Sequence, residues 1–269
     1  MQEIIGYILA SLIGISLGLI GGGGSILTVP VLVYVMGVNP TLSTAYSLFI
    51  VGITALVGSV SYMQKKLVSF KTALVFSVPS FVSVFLVRKY VVPAIPAEII
   101  KLGDFSLTKD IFLMIIFAVL MFFASISMIK KKKGEPENDE SKEVKFNFPL
   151  IFIEGIVVGA ITGLVGAGGG FMIIPALVVF AKLPMKMAVG TSLLIIAAKS
   201  LIGFTGDMSN PNLDIDWILL TIFSAVASVG IFVGSYLSNF IPGAKLKTGF
   251  GWFVVIMAVY ILAKELLFK

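Results

Sequence analysis

GLIGGGGSILTVP, residues 18–30, decides how this chain is read. Four consecutive glycines, Gly21 to Gly24, interrupt an apolar run, and Pro30 follows shortly after. A glycine weakens a helix by about 1 kcal/mol and an interior proline by about 3 kcal/mol, so regular helix does not continue through the stretch. Yet it lies inside a segment, Ile4 to Gln64, that carries no charged side chain at all. Apolar runs of that length are membrane spans. A helix broken at membrane depth survives only where its freed backbone lines a cavity or packs on protein.

The rest of the chain repeats the apolar theme. Of its 269 residues, 58% are hydrophobic and 13% charged, and the mean hydropathy is +1.08. Further apolar stretches occupy 72–87, 111–129, 155–181, 217–244 and 248–263. The expected fold class is an all-α polytopic membrane protein. Cysteine and histidine are both absent, which removes disulfides, thiolate and imidazole metal centres, histidine-ligated haem, and every Ser–His or Cys–His catalytic pair. None of those centres or pairs is expected here. Glu3 with no lysine or arginine around it is unlike the basic start of a cleaved signal peptide. The net charge of +6 reflects loop lysines that orient a membrane protein, not a nucleic-acid surface.

A shift of 145 residues places GLVGAGGGFMIIP, 163–175, beneath the opening stretch. Without gaps, residues 14–58 match 159–203 at 14 of 45 positions, among them six glycines and Pro30/Pro175. Shared apolar composition explains the leucine matches but not glycines in fixed register. The chain therefore reads as two homologous four-segment repeats, 1–129 and 147–269, joined by a charged cytoplasmic linker, 130–146. In the first repeat the segments run at about 4–36, 42–63, 69–92 and 109–129, and in the second at about 148–181, 187–206, 216–238 and 247–268. The first segment of each is too long for one crossing. Some 33 helical residues would reach about 50 Å, against a hydrocarbon core of about 30 Å. Each is expected to be two half-helices joined by an unwound glycine turn.

Lysine placement bears on orientation. If each long segment crosses once, the basic flanks divide eleven to eight between the two sides. If each instead turns back at its glycines, the repeats are inverted and the division becomes thirteen to six, closer to the positive-inside bias. The basic loop KKLVSFK, 65–71, opposite the acidic NPNLDID, 210–216, is the exchange that inversion predicts.

Inverted repeats with discontinuous helices are a recurring transporter plan, in which half-helix ends hold the substrate near the midplane. The N-terminus of a half-helix offers unpaired N–H groups and about half a positive charge. Gly22, Gly23, Gly24 and Ser25 open one such half-helix and Gly168, Gly169 and Gly170 the other, so two facing copies suit a small anion. Lys199, in GTSLLIIAAKSLIGF, stands mid-span, where a charge lines a polar pathway by default, with snorkelling to an interface as the alternative. It can offset an anion's charge or change protonation during a cycle. Ser47, Thr191 and Ser192 begin the following spans at matched positions, and their hydroxyls either complete the coordination or bond back to helix carbonyls. Glu154 is a candidate proton carrier, with an interfacial position as the alternative. The pairs Gly14/Gly18, Gly159/Gly163 and Gly230/Gly234 have the spacing of helix packing. Asp207, Asp214 and Asp216 read as a solvated loop, with Trp217 as an interface anchor. Ser25 has no histidine to activate it, and no lysine follows the glycines as in a phosphate loop. A passive channel and a cation transporter remain as other classes.

The residues just quoted resemble the two signature regions of the sulfite exporter TauE/SafE family, over nearly the whole chain. The signature falls on Gly18, Gly21–Gly24 and Pro30, then on Gly163, Gly166, Gly168–Gly170, Pro175 and Gly190–Leu193. Ala167 stands where the first copy has Gly22. The resemblance implies a multi-pass protein of the bacterial inner membrane that moves small sulfur-containing or organic anions such as sulfite, thiosulfate or sulfoacetate, often outward. It implies no cofactor, and coupling to protons or to the anion gradient. The partners expected are a small anion and the lipid bilayer, with no nucleic acid and with the oligomeric state open.

Overall fold

The computed structural model describes residues 2–102, 105–129, 148–166, 168–179, 181, 183–210, 213–238, 240 and 243–267. The linker 130–146 and Ala167 lie outside the described residues. The architecture is helical: α1 (Gln2–Ile20), α2 (Gly24–Val35), α3 (Pro40–Gln64), α4 (Phe70–Ala94), α5 (Lys109–Ile129), α6 (Phe148–Val165), α7 (Gly170–Val179), α8 (Met185–Met208), α9 (Trp217–Leu237) and α10 (Gly243–Leu267). Among the described residues, five helices are long and apolar enough to cross a membrane: α1, α3, α4, α8 and α9. Between α4 and α5 the chain forms a small antiparallel pair, β1 (Glu98–Leu102) and β2 (Phe105–Thr108). A purely α reading of EIIKLGDFSLT misses it, because so short an alternation is drowned by the helical signal on either side.

Polarity is inverted relative to a soluble protein. Phe70, Leu74, Val78, Val82 and Leu86 recur every four residues of α4 and are 45–68% exposed, an outward apolar stripe that only lipid would accept. The helices at the centre, α3 and α8, instead bury Thr44, Ser47, Thr54, Ser192, Lys199 and Asp207.

Small residues set the packing. Gly14 and Gly18 on α1 lie against the backbone of Ala227 and Ile231 on α9, while Gly230 and Gly234 on α9 lie against Ser11 and Ile15. The same kind of contact joins α6 to α4, with Gly155, Gly159 and Gly163 against Phe76, Ser80 and Val87. Helix α1 packs on α9, α6 on α4 and α5 on α10, and α3 crosses α8. In the α3–α8 pair Leu48 faces Gly203 and Gly58 faces Leu193, so the two helices run in opposite directions. Without apolar driving force between helices in lipid, this backbone-to-backbone approach is what holds them. A Cβ on Gly18 would come within 2.6 Å of the Ser235 nitrogen, so Gly18→Val is expected to cost 3 kcal/mol or more by overpacking (~1–3 kcal/mol is typical). Gly249→Ala, with open space around it, should instead gain a few tenths of a kcal/mol to ~1 kcal/mol from helix propensity. Thermal unfolding in detergent separates the two; equal midpoints would remove the packing role.

Each overlong segment folds back on itself. α1 runs inward as far as Ile20, the chain turns at Gly21, and α2 returns so that Met36 lies beside Gly6. Both ends of this hairpin are therefore at one end of the bundle, together with the β-pair and the Asn39–Asp110 hydrogen bond (2.8 Å). The second hairpin, α6 and α7, enters from the opposite end, where the Ser69 N–H donates to Thr191 Oγ1 (2.9 Å). Proline shapes the returns. Pro93 has no N–H for the carbonyl four residues back, and α4 widens into a π-turn over Val87–Val91. A second π-turn, Val31–Val35, follows Pro30.

Candidate functional site

The four glycines of the opening stretch answer to different demands. Gly21 closes α1 at φ +75°, a left-handed conformation open to glycine at no steric cost, and its N–H bonds the Leu17 carbonyl at 2.7 Å. Gly166 repeats this at φ +73°, bonding Thr162 at 2.8 Å. Gly21 lies on Val189, and Gly166 on Thr44, each pair being the other's equivalent at the 145-residue shift. Gly24 presses against Ser16 and Leu17 of its own hairpin. Gly22 touches Gly170: a Cβ on either would collide with the other's Cα, and both would come within 2.7 Å of Ile196 Cδ1. Ile196 is in the middle of α8. The two glycine turns, one from each end of the bundle, therefore meet at mid-depth.

Around this meeting point stand several of the residues expected from sequence. Gly168 faces Val51 and Ser25, so Ser25 sits where the turns cross. Its hydroxyl donates to the Gly22 carbonyl (2.7 Å) and braces the turn. Gly23 starts the short 3-10 helix, Gly23–Leu27, that opens α2, and Gly170 starts α7, so the first N–H groups of each lack intrahelical partners. Lys199 is 1% exposed, and its Nζ donates to Thr162 Oγ1 at 3.0 Å. A Cβ on Gly169 would stand 2.7 Å from that Nζ, so the ammonium lies directly on the second turn. Among the described residues no carboxylate pairs with it.

Other expected residues stand apart. Thr191 is near the start of α8, where its oxygen accepts the Ser69 N–H that opens α4. Ser192 donates to the Val189 carbonyl (2.8 Å), one turn from the Gly21 contact. Ser47 holds the matching place one turn past Thr44, and its buried hydroxyl has no hydrogen-bond partner among the described residues. Glu154 lies eight residues before Thr162, about 12 Å of helix rise from the turn, and is half-buried.

Two sequence expectations need correction. Asp207 is not in a solvated loop; it is the penultimate residue of α8 and 3% exposed. Arg88, counted from sequence among the flanking basic residues, is 1% exposed. The guanidinium Nη1 lies 3.4 Å from Asp207 Oδ1 and Oδ2 and donates to Thr44 Oγ1 at 3.0 Å. Arg88 falls inside the expected segment 69–92, but the charges of VRKYVV read as that span's polar flank, whereas α4 continues through its π-turn to Ala94. Asp214 and Asp216 do lie in the loop before α9. Asp216 caps that helix by accepting from the Leu219 N–H (2.9 Å), and Trp217 is 48% exposed beside Phe49 and Phe204. Thr162, the partner of Lys199, was silent in sequence.

The profile of the family described as "Sulfite exporter TauE/SafE" matches residues 7–264. The chain belongs to the sulfite exporter TauE/SafE family. Relatives are membrane transporters by name. The chain is 30% identical over 254 residues to a "Probable membrane transporter protein" of Xylella fastidiosa (strain 9a5c), covering 93% of this chain and 91% of the relative. It is 28% identical over 231 residues to the "Probable membrane transporter protein YunE" of Bacillus subtilis (strain 168), with 81% and 82% covered. A shorter match, 38% identical over 120 residues, links it to "Probable membrane transporter protein MJ0441" of Methanocaldococcus jannaschii, covering 42% and 43%. No solved structure matches the chain. As a TauE/SafE member with five long apolar helices among the described residues, the protein is a multi-pass membrane protein of a transporter family.

Proposed function

We propose that this TauE/SafE protein is a secondary transporter that exports a small sulfur-containing anion, such as sulfite, across the inner membrane by alternating access. The observation that carries the reading is the meeting of two glycine turns at mid-depth beside a buried Lys199 that pairs with no carboxylate among the described residues. Two helix starts and one ammonium give a concentration of positive potential where lipid would tolerate no lone charge. An oxyanion neutralises it and accepts the N–H groups of the turns. Gly22 and Gly170 are in contact here, so an anion enters only when the turns part. Rocking of one half against the other parts them.

The same proposal takes residues 1–129 and 147–269 as inverted repeats and 130–146 as a cytoplasmic linker. The opposed hairpins and the matched helix partners support it. Transport, not catalysis, is the role the family implies, and no cofactor enters the scheme. The alternative cargo is another organic anion (sulfoacetate, thiosulfate or a carboxylate), and a passive anion channel is the alternative mechanism.

Radiolabelled sulfite uptake into proteoliposomes, with and without a pH gradient, tests the reading. Saturable uptake that sulfite analogues compete away is the expected result, and gradient dependence would add proton coupling. Uptake no greater than in empty liposomes, with folded protein, rejects sulfite and moves the assay to organosulfonates and carboxylates. Uptake that never saturates favours the channel. For orientation, a single cysteine at Gly134→Cys in this cysteine-free chain is expected to resist impermeant labelling from outside the cell; labelling there would reverse the topology.

A further inference from the structure

We propose that Arg88 is a second anion subsite, and that Asp207 is a tethered carboxylate holding this guanidinium until a passing oxyanion displaces it. The inference deepens the transport reading and rests on it. A guanidinium has five N–H donors in a rigid fork, and a buried one normally has them filled. At Arg88 only Nη1 has partners; Nε and Nη2 are buried with none among the described residues. Those two nitrogens form the edge that grips a carboxylate or oxyanion bidentately. Asp207 does not use that edge. It approaches Nη1 from 3.4 Å, longer than the roughly 2.7–2.9 Å of a well-made charge-assisted bond, and its Oδ2 makes no hydrogen bond among the described residues. The pair is thus a loosely made buried ion pair with spare donors, a poor stabilising device and a ready anion receptor.

Its position places it on the same path as Lys199. Arg88 bonds Thr44, and the Thr44 backbone lies on Gly166, the first residue of the second glycine turn. Lys199 lies on Gly169, three residues further along that turn. Lys199 and Asp207 share α8, eight residues apart, which is about 12 Å of rise. An anion moving from Lys199 toward the β-pair end of the bundle meets Arg88 next. The 145-residue shift puts Tyr62 and Val233 at the places of Asp207 and Arg88, so the receptor exists on one side of the turns only.

The test uses full-length protein in detergent, with thermal unfolding followed against sulfite, thiosulfate, acetate and chloride, beside proteoliposome transport. Wild type is expected to be stabilised saturably by at least one oxyanion. Asp207→Asn, which removes the competitor and keeps the guanidinium, should tighten that apparent Kd at least threefold and slow turnover. The charge-neutral Arg88→Gln/Asp207→Asn pair should weaken binding at least tenfold. If that pair folds poorly, Arg88→Met/Asp207→Leu takes its place, since apolar replacement of a buried ion pair is tolerated. A folded double variant that binds and transports within twofold of wild type overturns the subsite while leaving the transport reading intact. Asp207→Asn binding no tighter than wild type also overturns it. Wild type that neither binds nor transports any of these anions sinks both.

Discussion

Gly22→Ala and Gly170→Ala are each expected to abolish saturable oxyanion transport, lowering its rate by at least a hundredfold. The new methyl in either case points at the opposing Cα, well inside van der Waals contact, and at Ile196 Cδ1 within 2.7 Å. Isoleucine can swing aside, but the opposing backbone is anchored by its own hairpin, so the turns must separate. Overpacking of this kind costs about 1–3 kcal/mol, more when backbone is the obstacle. Because the two substitutions crowd one shared contact, their costs should not add: once the first alanine has parted the turns, the second meets little. Gly37→Ala is the control. It sits at φ +71° with open space around it, so it bears only left-handed strain of about 1–2 kcal/mol and should transport normally. A Gly22→Ala protein with wild-type transport, or strictly additive losses of stability in the Gly22→Ala/Gly170→Ala double variant, would show that the meeting of the turns has no part in function.

Lys199→Met is expected to raise stability while lowering transport at least tenfold. A lysine at the centre of a span costs about 2.5–3.5 kcal/mol on the lenient insertion scale, and among the described residues no carboxylate offsets it. Methionine matches the stem, removes the charge and fills the same space. Thr162 is not orphaned by the change, since its hydroxyl also donates to the Gly159 carbonyl at 3.3 Å. A residue kept for packing would show the reverse, a lower unfolding temperature with transport intact. The split between a higher unfolding midpoint in detergent and a lower rate in proteoliposomes is therefore diagnostic. Normal transport by Lys199→Met would take Lys199 off the anion's path.

Much of this was legible beforehand because lipid simplifies the code. A span must satisfy its own backbone, so Pro40–Gln64 or Met185–Met208 announce themselves by length and hydropathy, and a glycine run inside such a segment has few meanings. Lys199 was legible for the same reason, as a charge where charge is expensive. Arg88 and Asp207 were not. Each stands near a span end, where a charge in water and a charge in a cluster have the same sequence signature. Thr162 was hidden because a threonine in a helix that bonds its own carbonyl is commonplace.

By itself the sequence determined the number and approximate bounds of the apolar helices, the break at each glycine turn and the family, because each depends on residues adjacent in the chain. Tertiary structure alone decided that Gly22 meets Gly170, that Lys199 rests on Gly169 beside Thr162, and that Arg88 and Asp207 close on one another. Those pairings join residues 30 to 148 positions apart, and they exist only because two hairpins entering from opposite ends bring their broken backbones to one depth. Hydropathy reads burial along a chain, not the partner found across it.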